Sequence, residues 1–268
     1  MRTDAWARFW HAPVAPHPVA ACRILLGVFL FGYLLTFWPD VELSFSRQGV
    51  YRPVFVPDYA PAPPLAWALY LALLAASALF AAGVRTAFVA PVLFALFLHH
   101  WFLHLGAVRS AHDSLVLVCL AALTLGRLDG AWALAGRPAA TVSAWPARVL
   151  ALQSAALYFG AGIWKLPVPA WRSGEAIAGF LIGPDAGAPA RWIASLGFPP
   201  SFYLVASWGV IAFELLMGPA LFWRRTRRVA VALGVLFHVS IAVVLTLPEF
   251  LVAIALYPAF FAERPVHS

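Results

Sequence analysis

The chain has 268 residues, 63% of them hydrophobic and only 11% charged, with a mean hydropathy of +0.85. An ordinary soluble domain carries about 45–50% apolar and about 25% charged residues, so that class is excluded. The formal net charge of +7 would point to nucleic acid in a soluble protein, but most of these cations flank apolar runs, where membrane topology accounts for them and no nucleic-acid partner is expected.

A spanning helix needs roughly 20 mainly apolar residues. The first run, 19–38, is too long for the apolar core of a signal peptide and lacks a small-residue cleavage site, so it reads as the first span. Further runs follow at 65–82, 87–105, 114–125, 147–163, 201–222, 229–247 and 250–261. Each is predicted helical, because an open strand edge cannot be satisfied in lipid. The fourth and eighth are short for a full crossing, which implies tilt, extension at their ends or partial re-entry. Proline and polar clusters mark loops at 58–64, 126–146, 184–200 and 224–228. The expected fold is therefore all-α: a polytopic integral membrane helical bundle of about eight transmembrane helices, one domain over residues 1–268, surrounded by the lipid bilayer.

Orientation follows from the arginines. With both termini cytoplasmic, the inner segments hold Arg2, Arg8, Arg23, Arg85, Arg127, Arg137, Arg148, Arg224, Arg225, Arg227, Arg228 and Arg264. The outer segments hold Arg47, Arg52, Arg109, Lys165, Arg172 and Arg191. This positive-inside bias predicts a multi-pass protein of the cell (inner) membrane with N- and C-termini in the cytoplasm. Trp6, Trp10, Trp38, Trp67, Trp101, Trp145, Trp171, Trp192 and Trp223 lie near span ends, as interfacial belts require.

Ionisable groups in or beside apolar runs carry the functional information, since each costs about 2.5–3.5 kcal/mol near a helix centre and needs a partner or a wet cavity. Lys165 is the only lysine among eighteen basic residues. An arginine stays protonated, whereas a desolvated lysine can present a free amine. Lys165 ends the fifth span after Gly160-Ala161-Gly162, small residues that permit close approach of a helix or ligand. Position alone favours a lysine snorkelling to the outer interface beside Trp164.

His112 and Asp113 open the fourth span on the same outer side, either as an oriented imidazole or, with Ser110, as a helix N-cap region. His99, His100 and His104 sit on the third span, with His100 and His104 one turn apart. No cysteine or acidic ligand accompanies them, so they are expected to hydrogen-bond and no metal is expected. Glu214 and His238 lie deeper and are expected to pair with each other or with Arg23, or to line a proton path. Cys22 and Cys119 lie inside apolar stretches and offer neither a disulfide framework nor a metal-ligand spacing.

At Ala161-Gly162-Ile163-Trp164-Lys165-Leu166, followed by Trp171 and Gly174, the chain resembles the membrane domain of the vitamin K-dependent gamma-carboxylase family and its bacterial relatives, the horizontally transferred transmembrane (HTTM) proteins. The similarity continues in order through Cys22-Arg23-Ile24-Leu25-Leu26-Gly27, Pro64-Leu65-Ala66-Trp67, Ala111-His112-Asp113-Ser114-Leu115, Phe237-His238-Val239 and Pro248-Glu249-Phe250. The resemblance implies a reduced quinone (menaquinol or similar) as cofactor. It implies Lys165 as the base that handles this quinol and His112 as the histidine that holds or polarises its oxygen. Asp113 is expected to join His112 as an orienting or polarising group, with Tyr158, Trp164, Arg23, His238 and Glu214 as supporting candidates.

Where the carboxylases carry paired lysines this chain has Trp164-Lys165, and where they carry asparagine before the histidine it has Ala111. They also continue into a large lumenal domain, so a peptide substrate is expected to need a separate recruiting subunit here. The leading expectation is a quinol-dependent carboxylase or oxygenase acting on a peptide or lipid, its site opening outward between spans four and five. The alternative is a non-catalytic membrane factor for maturation of, or immunity to, a secreted peptide. A transporter would show duplicated halves or broken helices, and neither is evident.

Overall fold

The structure, a computed structural model, describes residues 2–49, 59–104 and 111–263. Its contacts divide the chain into two compact units, Met1–Leu150 with Ala255–Ser268, and Ala151–Ile254. The first unit holds α1 (Arg2–His11), β1 (Pro13–Val14), α2 (His17–Leu35), α3 (Val41–Phe45), α4 (Pro63–Ala82), α5 (Thr86–His104), α6 (Ala111–Thr124) and β2 (Val142–Ser143). Helix α7 (Trp145–Lys165) passes from the first unit into the second, which continues with α8 (Pro169–Ser173), α9 (Glu175–Ile182), α10 (Ala188–Ser195), α11 (Pro200–Phe222) and α12 (Arg227–Val244). A 3-10 helix over Pro248–Phe261 follows.

Among the described residues, five helices are long and apolar enough to cross a membrane: α2, α4, α5, α11 and α12. The protein is a multi-pass membrane protein of all-α class. At 21 residues α7 has the length of a span, but Arg148, Gln153, Ser154 and Lys165 dilute its apolar character. The expected fourth and eighth spans are the short ones, α6 and the 3-10 helix, each of 14 residues. The last departs from the expected α-helix, and Pro258 inside it cannot donate to an α-helical ladder.

One further expectation needs correction. The loop read over 184–200 contains α10, because Pro189 sits in the first turn, where its missing N–H costs nothing and its ring starts a helix instead of breaking one. The segment before the first span, which the apolar runs leave unassigned, forms the helix α1.

In the first unit α2 packs on α4, α4 on α5 and α5 on α6. Gly27 makes the first contact possible: a Cβ there would lie 2.8 Å from both the Cβ and the backbone nitrogen of Ala81. The Tyr70 hydroxyl ties the same helices by donating to the Leu34 carbonyl at 2.7 Å. Beside them β1 pairs with β2 antiparallel, Val14 opposite Val142. In the second unit α11 packs against α8, α9 and α12, while Leu181, Ala186 and Ala190 form a small core between α9 and α10.

Candidate functional site

The second unit places Lys165 against a carboxylate. Its Nζ donates to Oε1 and Oε2 of Glu214 at 2.6 and 2.7 Å, and to the carbonyl of Ala161, one turn back on α7, at 3.4 Å. The Lys165 and Glu214 side chains are 18% and 8% exposed, so this ion pair between α7 and α11 joins a half-buried ammonium to a buried carboxylate. Gly162 permits it. A Cβ at that position would lie 2.8 Å from Cγ of Leu215 and 3.3 Å from Cβ of Glu214, and position 162 is on the face of α7 that carries Lys165. The expected snorkelling lysine is thus corrected: a carboxylate within reach of a backward-bent side chain outweighs the hydration available at the interface.

Trp171 covers the pair, its ring centroid 4.8 Å from Lys165 Nζ in a cation–π contact. Two contacts to α11 fix the position of that tryptophan. The buried Ser207 hydroxyl donates to the Trp171 carbonyl at 2.5 Å. Gly174, at φ 88°, brings the turn between α8 and α9 so close to α11 that a Cβ would lie 2.5 Å from the backbone nitrogen of Leu204. Trp171 and Gly174 thus serve one end, a role for Trp171 beyond that of the interfacial residue its position in the sequence suggests.

Two turns earlier on the same face of α7, the Tyr158 hydroxyl and His238 Nε2 share a hydrogen bond of 2.6 Å. Both are buried. Phe213 meets Tyr158 edge-on at 6.1 Å and Phe237 at 4.4 Å, so the pair is enclosed by aromatic rings. Glu214 and His238 do not pair with each other as expected; each takes its partner from α7, because residues 158 and 165 are the polar groups on the α7 face that meets them. Trp164, by contrast, is 76% exposed.

The remaining candidates belong to the first unit. Arg23 is fully buried, and its Nη2 donates to the Trp132 carbonyl at 2.5 Å, while Gly83, at φ 73°, leaves room for the guanidinium. Arg23 therefore clamps the segment after α6 onto the start of α2. Asp113 accepts a hydrogen bond from the Tyr33 hydroxyl at 3.4 Å. Beside it Phe37, Phe45, Phe97 and His100 line a cavity of about 20 Å³, room for about one water and not for a quinoid ring. His112, next in the chain, is half-buried. Ser110, its suggested capping companion, lies outside the described residues.

His99 Nε2 and the Tyr59 hydroxyl share a hydrogen bond of 2.8 Å, and His100 Nδ1 lies 2.9 Å from the Leu96 carbonyl. Both histidines act as hydrogen-bonding groups. Among the described residues no three His, Cys, Asp or Glu side chains gather as metal ligands do. Cys22 and Cys119 are buried free thiols.

Comparison with curated proteins and with solved structures gave no match. The family model described as the HTTM domain matches residues 11–264, a segment that includes both polar pairs, the Arg23 clamp and every long apolar helix. The chain belongs to the HTTM domain family.

Proposed function

We propose that this membrane protein is a quinol-dependent enzyme of the carboxylase or oxygenase type, acting on a peptide or lipid, with Lys165 as its base. The observation that carries this reading is the ion pair with a buried carboxylate: the sole lysine of the chain lies 2.6 Å from Glu214, which is able to take its proton. An arginine in that place would stay charged, whereas an ammonium that hands its proton to Glu214 becomes a free amine. The exchange leaves no charge in apolar surroundings.

The donor set suits a reduced quinone. It combines an amine that accepts a proton, a carboxyl group that stores it, and a buried hydroxyl and imidazole two turns away on α7. A bound quinol supplies reducing equivalents and an acidic hydroxyl. The chain's own task is to hold the ammonium's proton on Glu214, so that Lys165 Nζ is free to receive one from the quinol hydroxyl, and to keep both groups covered by Trp171. Both termini are cytoplasmic in this reading, and the Lys165–Glu214 site faces the outer side.

Quinol-dependent oxygen uptake by purified protein carrying Lys165→Ala or Lys165→Arg tests the role of the amine. Loss in both variants supports proton transfer at Nζ, activity kept only in Lys165→Arg reduces its role to charge, and unchanged uptake in both removes the base.

The same contact favours a second reading. Two short hydrogen bonds and an aromatic face saturate the ammonium, as a structural clamp between helices requires. A non-catalytic membrane factor for a secreted peptide needs no more than that. Co-purification with a small secreted protein, together with no quinone in its lipid extract by mass spectrometry, favours this second reading.

A further inference from the structure

The first unit carries a charged feature that the chemistry above leaves unused. Where α5 begins and the chain leaves α6 there is a cavity of about 500 Å³, lined by Arg85, Thr86, Phe88, Arg127 and Asp129 among others. Two guanidinium groups meet one carboxylate there, and that carboxylate is engaged: Asp129 accepts from Arg127 Nε at 3.4 Å and from the Arg137 backbone N–H at 3.2 Å. Arg127 is held in turn by donating from Nη2 to the Arg137 carbonyl at 2.8 Å.

Arg85 has no ion pair or side-chain hydrogen bond with any described residue. Thr86 is only 5% exposed, yet its hydroxyl, at the cavity wall, has no hydrogen-bond partner among the described residues. The rest of the Thr86 side chain is packed away, so its hydroxyl is open only toward the cavity, where a polar occupant can accept from it. Thr86 is also the first residue of α5, so the cavity lies at a helix N-terminus, where the N–H groups of Phe88 and Val89 donate to the Arg85 carbonyl and those of Thr86 and Ala87 have no acceptor within the helix.

Two guanidinium groups, a hydroxyl and a helix N-terminus form the donor set of a phosphate group. The rim is apolar: Phe88 is 69% exposed, and Leu125, which precedes the cavity-lining Gly126, is 75% exposed. We propose that this cavity binds a phosphate-bearing anion through Arg85, Thr86 and Arg127, at the membrane surface where α5 begins. The apolar rim points to an anionic phospholipid, whose acyl chains run along Phe88 and Leu125 while its headgroup enters the cavity.

Native mass spectrometry of the full chain in detergent, titrated with phosphatidylglycerol, phosphatidylcholine and inorganic phosphate, tests the proposal. Phosphatidylglycerol is expected to bind in preference to phosphatidylcholine. Its affinity is expected to fall about fivefold in Arg85→Gln, as loss of one partly exposed charge contact implies. Thr86→Val, nearly isosteric, should also weaken it, and Arg85→Lys should largely retain it. Inorganic phosphate binding that depends on Arg85, with no preference for phosphatidylglycerol, would keep the phosphate site and assign it to the free ion. Binding of both probes that is indifferent to Arg85 and Thr86, in variants with wild-type unfolding temperature, would overturn the proposal.

Discussion

A lysine at the end of a membrane helix ordinarily extends toward the headgroups. Lys165 turns back along α7 instead, because Gly162 lets α11 approach and presents Glu214 within 2.6 Å. The consequence for stability is asymmetric. Lys165→Ala leaves a buried carboxylate without its partner and is expected to cost about 3–5 kcal/mol, whereas the paired replacement Lys165→Met with Glu214→Leu is expected to recover most of that loss. Reversible unfolding in mixed micelles measures both, and additive losses would show that the two side chains are not coupled. That Lys165 stands apart from the other cations was legible in the sequence, since no other lysine exists. Its partner was not: a mid-span acid announces that it needs a partner, but nothing along the chain ranks a residue 49 positions away above His238 or Arg23.

Close helix contacts in this chain are made where a side chain is missing. At Gly27 the obstacle to a larger residue is the backbone of Ala81, which cannot rotate aside as a side chain can. Gly27→Val is therefore expected to separate α2 from α4 and to destabilise the first unit by about 1–3 kcal/mol or more. Gly32, on the same helix, has nothing within 4 Å of the place a Cβ would take and should accept alanine with little change. The difference in unfolding between Gly27→Val and Gly32→Ala checks the argument. The long apolar helices were legible because length and hydropathy alone identify them. Helix α10 was not, since a proline that opens a helix and one that ends it look alike until the following residues are placed. The 3-10 character of Pro248–Phe261 was hidden for a related reason: composition announces an apolar helix but not its hydrogen-bond pitch.

For the molecule as a whole, the family match over residues 11–264 and the five long apolar helices establish an HTTM membrane protein. Its two units carry different polar features. The first has the Arg23 clamp and an arginine-lined cavity; the second has the Lys165–Glu214 and Tyr158–His238 pairs. Lys165 and His112, read together from the sequence, belong to different units, and the partners of Lys165 all come from its own. The proposed chemistry therefore rests on the pair and not on the lysine alone. Quinol-dependent oxygen uptake by wild type, Lys165→Arg and Glu214→Gln, compared at matched unfolding temperature, tests this most directly. The account predicts uptake by the wild type and a loss of about 100-fold or more in each variant, the scale of a missing proton-transfer group; wild-type uptake in both variants, or none by the wild type, would contradict it.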